Sequence, residues 1–196
     1  MSDMNRAALI DRHDSCLGVI DVQENFLAKL PLDERSILVA RILWLVKVAA
    51  RLDIPILATA EDMNRNGPMV PALATAFPPQ TLIHNKMVFG LYGQDDIRDA
   101  VAMLNRRSFV LTGLETDVCI SQSALGLAAA GYDVTVIADA CGSPPPHHRD
   151  GIDRLRDAGI RIATTKGLFY EWIRDLATYH ELVADLADDP PPGLTL

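Results

Sequence analysis

Three residues of this chain have side chains that could work together as a nucleophile, a base and a cation. Cys119 follows the apolar run at residues 109–111, which predicts a buried strand. It falls in the first turn of a small-residue helix predicted to begin at about residue 117. The free N–H groups and the positive dipole end of a helix N-terminus favour a thiolate over a thiol. Cys119 therefore lies where a nucleophilic cysteine is expected.

The two partners of Cys119 lie at the ends of other predicted strands. Asp21 lies at the end of the apolar run at residues 16–22, and Lys86 follows a shorter run at residues 81–85. A carboxylate can accept the thiol proton, and an ammonium can keep a carboxylate and a thiolate ionised. An aspartate in such a place is as often a turn former, and a lone lysine is usually solvated. The shared position of all three at strand carboxyl ends favours catalysis.

Predicted strands and helices alternate along the chain, which is typical of a parallel sheet covered on both faces. The predicted strands are residues 16–22, 54–60, 81–85, 108–113, 132–138 and 160–164. The predicted helices are residues 34–51, 70–77, 95–105, 117–130, 147–158 and 167–186. We therefore predict a three-layer α/β/α fold with a doubly wound, Rossmann-like, six-stranded parallel sheet. Ligands of such folds bind at the carboxyl ends of the strands.

Length and composition fit a single domain over residues 1–196, with an N-terminal arm at residues 1–14 and a proline-rich tail at residues 187–196. The net charge of −8 and the absence of basic clusters argue against nucleic acid or an anionic membrane surface as a partner. The arm lacks the apolar core of a signal peptide, and no apolar window is long enough to span a bilayer. We expect a cytoplasmic protein that forms a homo-oligomer, whether a dimer, a tetramer or larger.

Two motifs and the lysine between them resemble the isochorismatase-like cysteine hydrolase superfamily. The first is D-x-Q-x-x-F from Asp21 to Phe26, and the second is G-x-x-T-x-x-C from Gly113 to Cys119. The resemblance covers about residues 14–180. Within the superfamily, residues 59–73 are similar to the YcaC-like branch of uncharacterised hydrolases.

The resemblance implies a catalytic triad and an oxyanion hole. Asp21 would be the general base, Lys86 the polarising cation, and Cys119 the nucleophile toward the carbonyl of a C–N bond. A non-proline cis peptide is implied between Leu114 and Glu115. The N–H groups of Glu115 and Cys119 would then be the oxyanion donors.

The sequence differs from those of two other kinds of enzyme in this superfamily. Nicotinamidases carry histidines after the second strand that bind zinc or iron, whereas residues 61–66, EDMNRN, contain none. We therefore expect no metal and no cofactor, and nicotinamidase activity is disfavoured. True isochorismatases cleave a vinyl ether and lack the cysteine, so the presence of Cys119 disfavours that chemistry as well.

Candidate substrate-binding residues lie on loops after strand ends: Phe26, Glu61, Phe89 and Tyr92. Phe26 and Phe89 are the better candidates, as apolar walls for a small acyl group, although core packing or a subunit contact explains each position equally well. The leading hypothesis is a metal-independent hydrolase that cleaves a C–N bond of a small amide or ureido (carbamoyl) compound through a cysteine acyl-enzyme intermediate.

Two other functions stay open at this point. Cys119 could be a redox or peroxide-sensing thiol; no resolving cysteine lies beside it in sequence, although Cys141 could approach it in space. The chain could also be a non-catalytic binding protein with a vestigial site.

Overall fold

The computed structural model describes residues 8–186 and 193–196. Residues 1–7 of the predicted arm and 187–192 of the predicted tail lie outside the described residues. Six parallel strands form one sheet in the order β3-β2-β1-β4-β5-β6. The strands are β1 (Ser15–Ile20), β2 (Ile56–Glu61), β3 (Ile83–Lys86), β4 (Ser108–Leu114), β5 (Asp133–Gly142) and β6 (Arg161–Ala163).

Helices cover both faces of this sheet, which confirms the predicted three-layer α/β fold. The helices of the described chain are α1 (Glu24–Leu27), α2 (Leu32–Arg51), α3 (Met63–Asn66), α4 (Pro71–Ala74), α5 (Asp95–Met103), α6 (Ser121–Ala129), α7 (His147–Asp157), α8 (Thr165–Ile173) and α9 (Leu176–Leu186). No helix of the described part is long and apolar enough to cross a membrane.

The central strands are apolar because they are covered on both sides. Every residue of β1 is buried, and so is β4 from Phe109 onward. On one side the core includes Trp44 of α2 and Phe169 of α8, whose ring centroids are 4.9 Å apart. Trp172 is also fully buried there. On the other side α5, α6 and α7 pack a second core against the sheet.

The strand order places the switch point of the sheet between β1 and β4. The chain runs outward from β1 through β2 to β3, and then returns to place β4 on the other side of β1. Connections that leave two neighbouring strands in opposite directions open a crevice at their carboxyl ends. Asp21 directly follows β1, and Gly113 lies in register with Ile20 at the end of β4. The crevice therefore opens beside the predicted catalytic residues.

The helix predicted at residues 167–186 is wrong, because the structure has two helices there. Arg174 between them has a positive φ of 65° and donates from Nη2 to the carbonyl oxygen of Ile10 at 3.2 Å. Asp175 then starts α9, because its Oδ1 accepts a hydrogen bond from the N–H of Thr178 at 2.8 Å. A capping aspartate inside an otherwise continuous apolar pattern was the signal for this break.

The fifth strand extends beyond its predicted end. It was expected over residues 132–138 with an exit loop after it, whereas β5 continues to Gly142. Its register with β4 shifts, since Leu111 pairs with Val136 and Gly113 pairs with Cys141. An irregularity of this kind bends a strand and redirects the residues that follow it. It brings Ser143 alongside the turn that carries Cys119.

Candidate active site

Cys119 lies in a wide helical turn, Thr116–Ile120, between β4 and α6. The N–H of Ile120 donates to the carbonyl oxygen of Glu115 at 3.0 Å, five residues earlier, which is the pattern of a π turn. The prediction that Cys119 lies in the first turn of an α-helix is therefore wrong, since α6 begins two residues after the cysteine. Single π turns are frequent at functional sites.

Contacts from distant parts of the chain hold this turn. The hydroxyl of Thr116 and Nδ1 of His148 are 2.8 Å apart. Burial lowers the pKa of His148, so a neutral ring nitrogen is available to accept this hydrogen bond. Asp117 accepts a hydrogen bond from the hydroxyl of Ser143 at 2.6 Å. Both partners come from the end of β5 and the start of α7.

The backbone before the turn has two special features. The peptide bond between Leu114 and Glu115 is cis, as the resemblance implies. Gly113 has a φ of 121°, and a Cβ atom at this position would lie 2.0 Å from the carbonyl oxygen of Ile20. Only glycine lets β4 approach β1 this closely.

A buried ammonium joins the predicted base and the predicted nucleophile. Nζ of Lys86 lies 2.9 Å from Oδ2 of Asp21 and 3.7 Å from Sγ of Cys119. Asp21 and Lys86 are fully buried, and Cys119 is 4% exposed. The structure therefore brings together all three residues of the predicted triad.

Thr59 and the backbone at Val88 also contact this ion pair. The hydroxyl of Thr59 donates to Oδ1 of Asp21 at 2.8 Å, and Lys86 donates to the carbonyl oxygen of Val88 at 2.6 Å. Asp21 itself has a positive φ of 53°, a backbone conformation that aspartate tolerates better than most residues. Sequence reasoning missed Thr59, although it lies two residues before Glu61 and so shares a face of β2 with it.

Glu61 belongs to the same cluster. The thiol of Cys119 donates to Oε2 of Glu61 at 3.2 Å, and the same oxygen is 3.5 Å from Nζ of Lys86. The Glu61 side chain is 17% exposed, in contrast to the two buried members of the ion pair. Glu61 was expected only as a pocket residue, and the structure places it in direct contact with the nucleophile.

Gln23 fixes the backbone that carries Glu61. Its Oε1 accepts from the N–H of Glu61 at 2.7 Å, and its Nε2 donates to the carbonyl oxygen of Glu61 at 2.9 Å. The same Nε2 lies 2.6 Å from the carbonyl oxygen of Gly67. The side chain of Gln23 is fully buried, so it ties the loop after β1 to the loop after β2.

The sequence is similar to proteins of a known family. The model of the isochorismatase domain matches residues 15–167. The chain belongs to the isochorismatase family. Isochorismatase domain-containing protein 2A of Mus musculus is 34% identical over 163 residues, which cover 82% of this chain and 76% of the mouse protein.

Further similarity places this isochorismatase-family protein in the YcaC-like branch. The probable hydrolase YcaC of Escherichia coli is 29% identical over 185 residues, which cover 93% of this chain and 89% of YcaC. The crystal structure of that YcaC, an octameric hydrolase of unknown specificity, has a TM-score of 0.81 at 25% identity. It covers 91% of this chain and 90% of YcaC. The protein is thus an isochorismatase-like hydrolase.

The cluster also contains three side chains that could ligate a metal ion. Ligand atoms of Asp21, Glu61 and Cys119 all lie within 4.8 Å of one another. Nζ of Lys86, however, lies 2.9, 3.5 and 3.7 Å from atoms of these same three residues. The buried ammonium already supplies a positive charge at the position that a metal ion would need. The donor set therefore fits a site centred on an ammonium rather than on a metal.

Burial and neighbouring charges shift the pKa values of all three triad residues. Burial, followed by the negative charge of Asp21, raises the pKa of Cys119 above its ordinary value, and Lys86 only partly opposes this. These effects favour a resting thiol over the expected thiolate, and a thiol is the form that can donate the hydrogen bond from Sγ to Glu61. Burial raises the pKa of Asp21 despite the nearby ammonium. Burial lowers the pKa of Lys86, but the Asp21 carboxylate and its neighbours raise it by more.

This protonation state predicts how the reactivity of Cys119 depends on pH. Alkylation of Cys119 by iodoacetamide should become about tenfold faster per pH unit between about pH 7 and pH 9, because the thiolate fraction grows by that factor below the pKa. Mass spectrometry of the labelled peptide gives the rate. Cys16 is fully buried, so it should label far more slowly and serves as the internal comparison. A rate plateau in this range would contradict the resting thiol.

The other predicted pocket residues lie in different surroundings. Phe26 is 8% exposed, and Nζ of Lys29 lies 4.6 Å from the centre of its ring. Phe89 comes directly after Val88, whose carbonyl oxygen accepts a hydrogen bond from Lys86, and it is 54% exposed. The ring of Tyr92 packs edge-on against Tyr132 at 5.9 Å, near the amino end of β5. Tyr92 is therefore directed away from the cluster.

Proposed function

We propose that this protein hydrolyses a C–N bond of a small amide or ureido compound, with Cys119 as the nucleophile. The observation that carries the proposal is the buried ammonium of Lys86, which contacts both the Asp21 carboxylate and the Cys119 thiol. A thiol needs a base and a nearby positive charge to react at neutral pH. Both groups lie at the crevice of the sheet, where ligands of doubly wound folds bind.

In the first half of the reaction Cys119 is acylated. The thiol turns from Glu61 to Asp21, whose carboxylate oxygen lies within 4.8 Å of Sγ. Asp21 accepts the thiol proton as Sγ forms a bond to the carbonyl carbon, and the π electron pair moves to the carbonyl oxygen. The raised pKa of Asp21 makes it a stronger base than an ordinary aspartate. Lys86 stabilises the developing negative charge on sulfur, and the N–H groups of Glu115 and Cys119 are the proposed donors to the oxyanion.

Collapse of this intermediate releases the nitrogen. The C–N bond breaks, its electron pair goes to nitrogen, and the proton held by Asp21 passes to the leaving amine or ammonia. A water molecule then attacks the thioester and gives a proton to Asp21. Cleavage of the C–S bond frees the acid product and returns that proton to Cys119. One water is consumed for each C–N bond cleaved.

Ammonia release from a panel of amides, carbamoyl compounds and ureides tests this function. We expect release by the wild-type protein, none by Cys119→Ala, and a kcat lower by about 10²–10⁴ for Asp21→Asn, the usual effect of losing a general base. Cys16→Ala is the matched control, because that cysteine is fully buried outside the site. Identical traces from wild type and Cys119→Ala on every substrate would exclude the proposal.

We also infer that the protein assembles into a homo-oligomer. Met87 and Phe89, on the loop after β3, are 60% and 54% exposed. Large apolar side chains exposed side by side are typical of contact surfaces. The E. coli relative YcaC is octameric. Light scattering on the purified protein should give several times the mass of one chain, and the mass of a single chain would contradict the inference.

A further inference from the structure

The described charged side chains that surround Sγ of Cys119 carry more negative than positive charge. Asp21 and Glu61 are carboxylates, and Lys86 is the ammonium that they share. Lys29 lies nearby, but it forms an ion pair with Glu115 at 2.9 Å, so these two charges offset each other. The cluster with a neutral thiol therefore has one unbalanced negative charge.

Geometry assigns most of this unbalanced charge to Glu61. Asp21 has the shorter contact with the ammonium, 2.9 Å against 3.5 Å, and it also accepts the hydroxyl hydrogen bond of Thr59. Asp21 is fully buried, whereas the side chain of Glu61 is 17% exposed. Glu61 is thus the carboxylate that an arriving substrate meets beside the nucleophile.

Both the backbone and the carboxylate of Glu61 have defined partners. Gln23 hydrogen-bonds both the N–H and the carbonyl oxygen of Glu61, and Asn66 donates to the same carbonyl oxygen at 3.1 Å. Glu61 also lies in register with Lys86 in the sheet. The carboxylate itself is held by the thiol of Cys119 at 3.2 Å and the ammonium of Lys86 at 3.5 Å, and both contacts would be lost if it moved aside for a negatively charged ligand.

Resting on the proposed function, we propose that Glu61 restricts the substrate to an uncharged or positively charged compound with N–H donors beside the scissile carbonyl. A carboxylate accepts such N–H groups in strong hydrogen bonds. It repels a second carboxylate, and the repulsion is large in a site with little water. Ureido and carbamoyl compounds that lack an adjacent carboxylate fit this description.

Charged thiol reagents test the selection without requiring hydrolysis. The probes are cationic 2-aminoethyl and anionic 2-sulfonatoethyl methanethiosulfonate; Sγ of Cys119 attacks the reagent sulfur, forms a disulfide and releases methanesulfinate. Each rate is divided by the rate with a small free thiol, and mass spectrometry confirms the labelled cysteine. Wild type should favour the cationic reagent by about tenfold or more, and Glu61→Gln should reduce that preference by about tenfold.

Asp62→Asn is the matched control for Glu61→Gln. It removes one negative charge at the next residue, and asparagine tolerates the positive φ of 37° found there. This variant should keep the wild-type preference between the two reagents. An unchanged preference in Glu61→Gln, or an equal loss of rate with both reagents, would overturn the proposal.

Amide pairs then separate this inference from the hydrolase function. For a neutral amide and its carboxylate-bearing analogue, wild type should have the higher kcat/KM on the neutral member, and Glu61→Gln should narrow the difference. Hydrolysis of both members with equal kcat/KM would overturn the selection and leave the hydrolase function standing. If no amide is cleaved while the reagent preference depends on Glu61, the hydrolase function fails and the charge selection holds.

Discussion

Replacing Lys86 with methionine should give a protein that unfolds more easily and hydrolyses its substrate far more slowly. Lys86 and Asp21 are both fully buried, with their charged atoms 2.9 Å apart. Removal of one partner of a buried ion pair leaves the other charge uncompensated and costs about 3–5 kcal/mol of stability. Loss of the ammonium beside the nucleophile should lower kcat by about 10²–10³, as for other preorganised electrostatic groups.

A double variant separates the two effects of this substitution. In Asp21→Asn/Lys86→Met no charge is left buried, so urea unfolding should show much of the lost stability restored. The kcat should not recover, because the base and the cation are both gone. If Lys86→Met unfolds at the wild-type urea concentration, the ion pair contributes nothing to the free energy of unfolding and this account of the cluster is wrong.

The raised pKa of Lys86 sets the pH range of its contribution. A lysine whose pKa is higher in the folded state stabilises that state fully below the pKa of the unfolded chain. The contribution is lost only as the pH rises through the folded value. The stability difference between wild type and Lys86→Met should therefore persist through neutral pH and shrink only at strongly alkaline pH.

Gly113→Ala should be the most disruptive single-methyl change near the site. The added Cβ would lie 2.0 Å from the carbonyl oxygen of Ile20, and the φ of 121° is unfavourable for alanine. Backbone strain and overpacking together should lower the free energy of unfolding by about 4 kcal/mol or more. Chemical denaturation of the purified variant measures this loss.

Gly131→Ala provides the control for conformation alone. Gly131 has a φ of 94°, but a Cβ atom there meets no other atom within 4 Å. Its substitution should lower the free energy of unfolding only by the cost of the strained backbone conformation, about 1–3 kcal/mol. Equal losses in the two variants would show that the close approach of β4 to β1 at Gly113 is not as described.

The sequence predicts the sheet well for a physical reason. Strands covered on both faces must be apolar throughout, so runs such as residues 109–111 are visible without any knowledge of their neighbours. Polar residues directly after such runs then meet at the carboxyl edge of a parallel sheet. This reasoning identifies Asp21, Lys86 and Cys119, and it does not require the order of the strands in the sheet.

The features that sequence reasoning missed depend on contacts between distant segments. The π turn that carries Cys119 is held by His148 and Ser143, which lie more than twenty residues away along the chain. The pKa of Cys119 is raised by burial and by the charge of Asp21, and neither effect is visible in a local helix pattern. The contact of Glu61 with the thiol likewise requires the register of β2 beside β1.

Gln23 has a consequence for how this site could change over evolutionary time. Its amide makes its hydrogen bonds to main-chain atoms of Glu61 and Gly67. The path of the loop after β2 is therefore independent of which side chain stands at position 61. A different residue at position 61 would change which substrates the crevice accepts without changing the path of this loop. Substrate preference can therefore diverge among related proteins that keep the same catalytic triad.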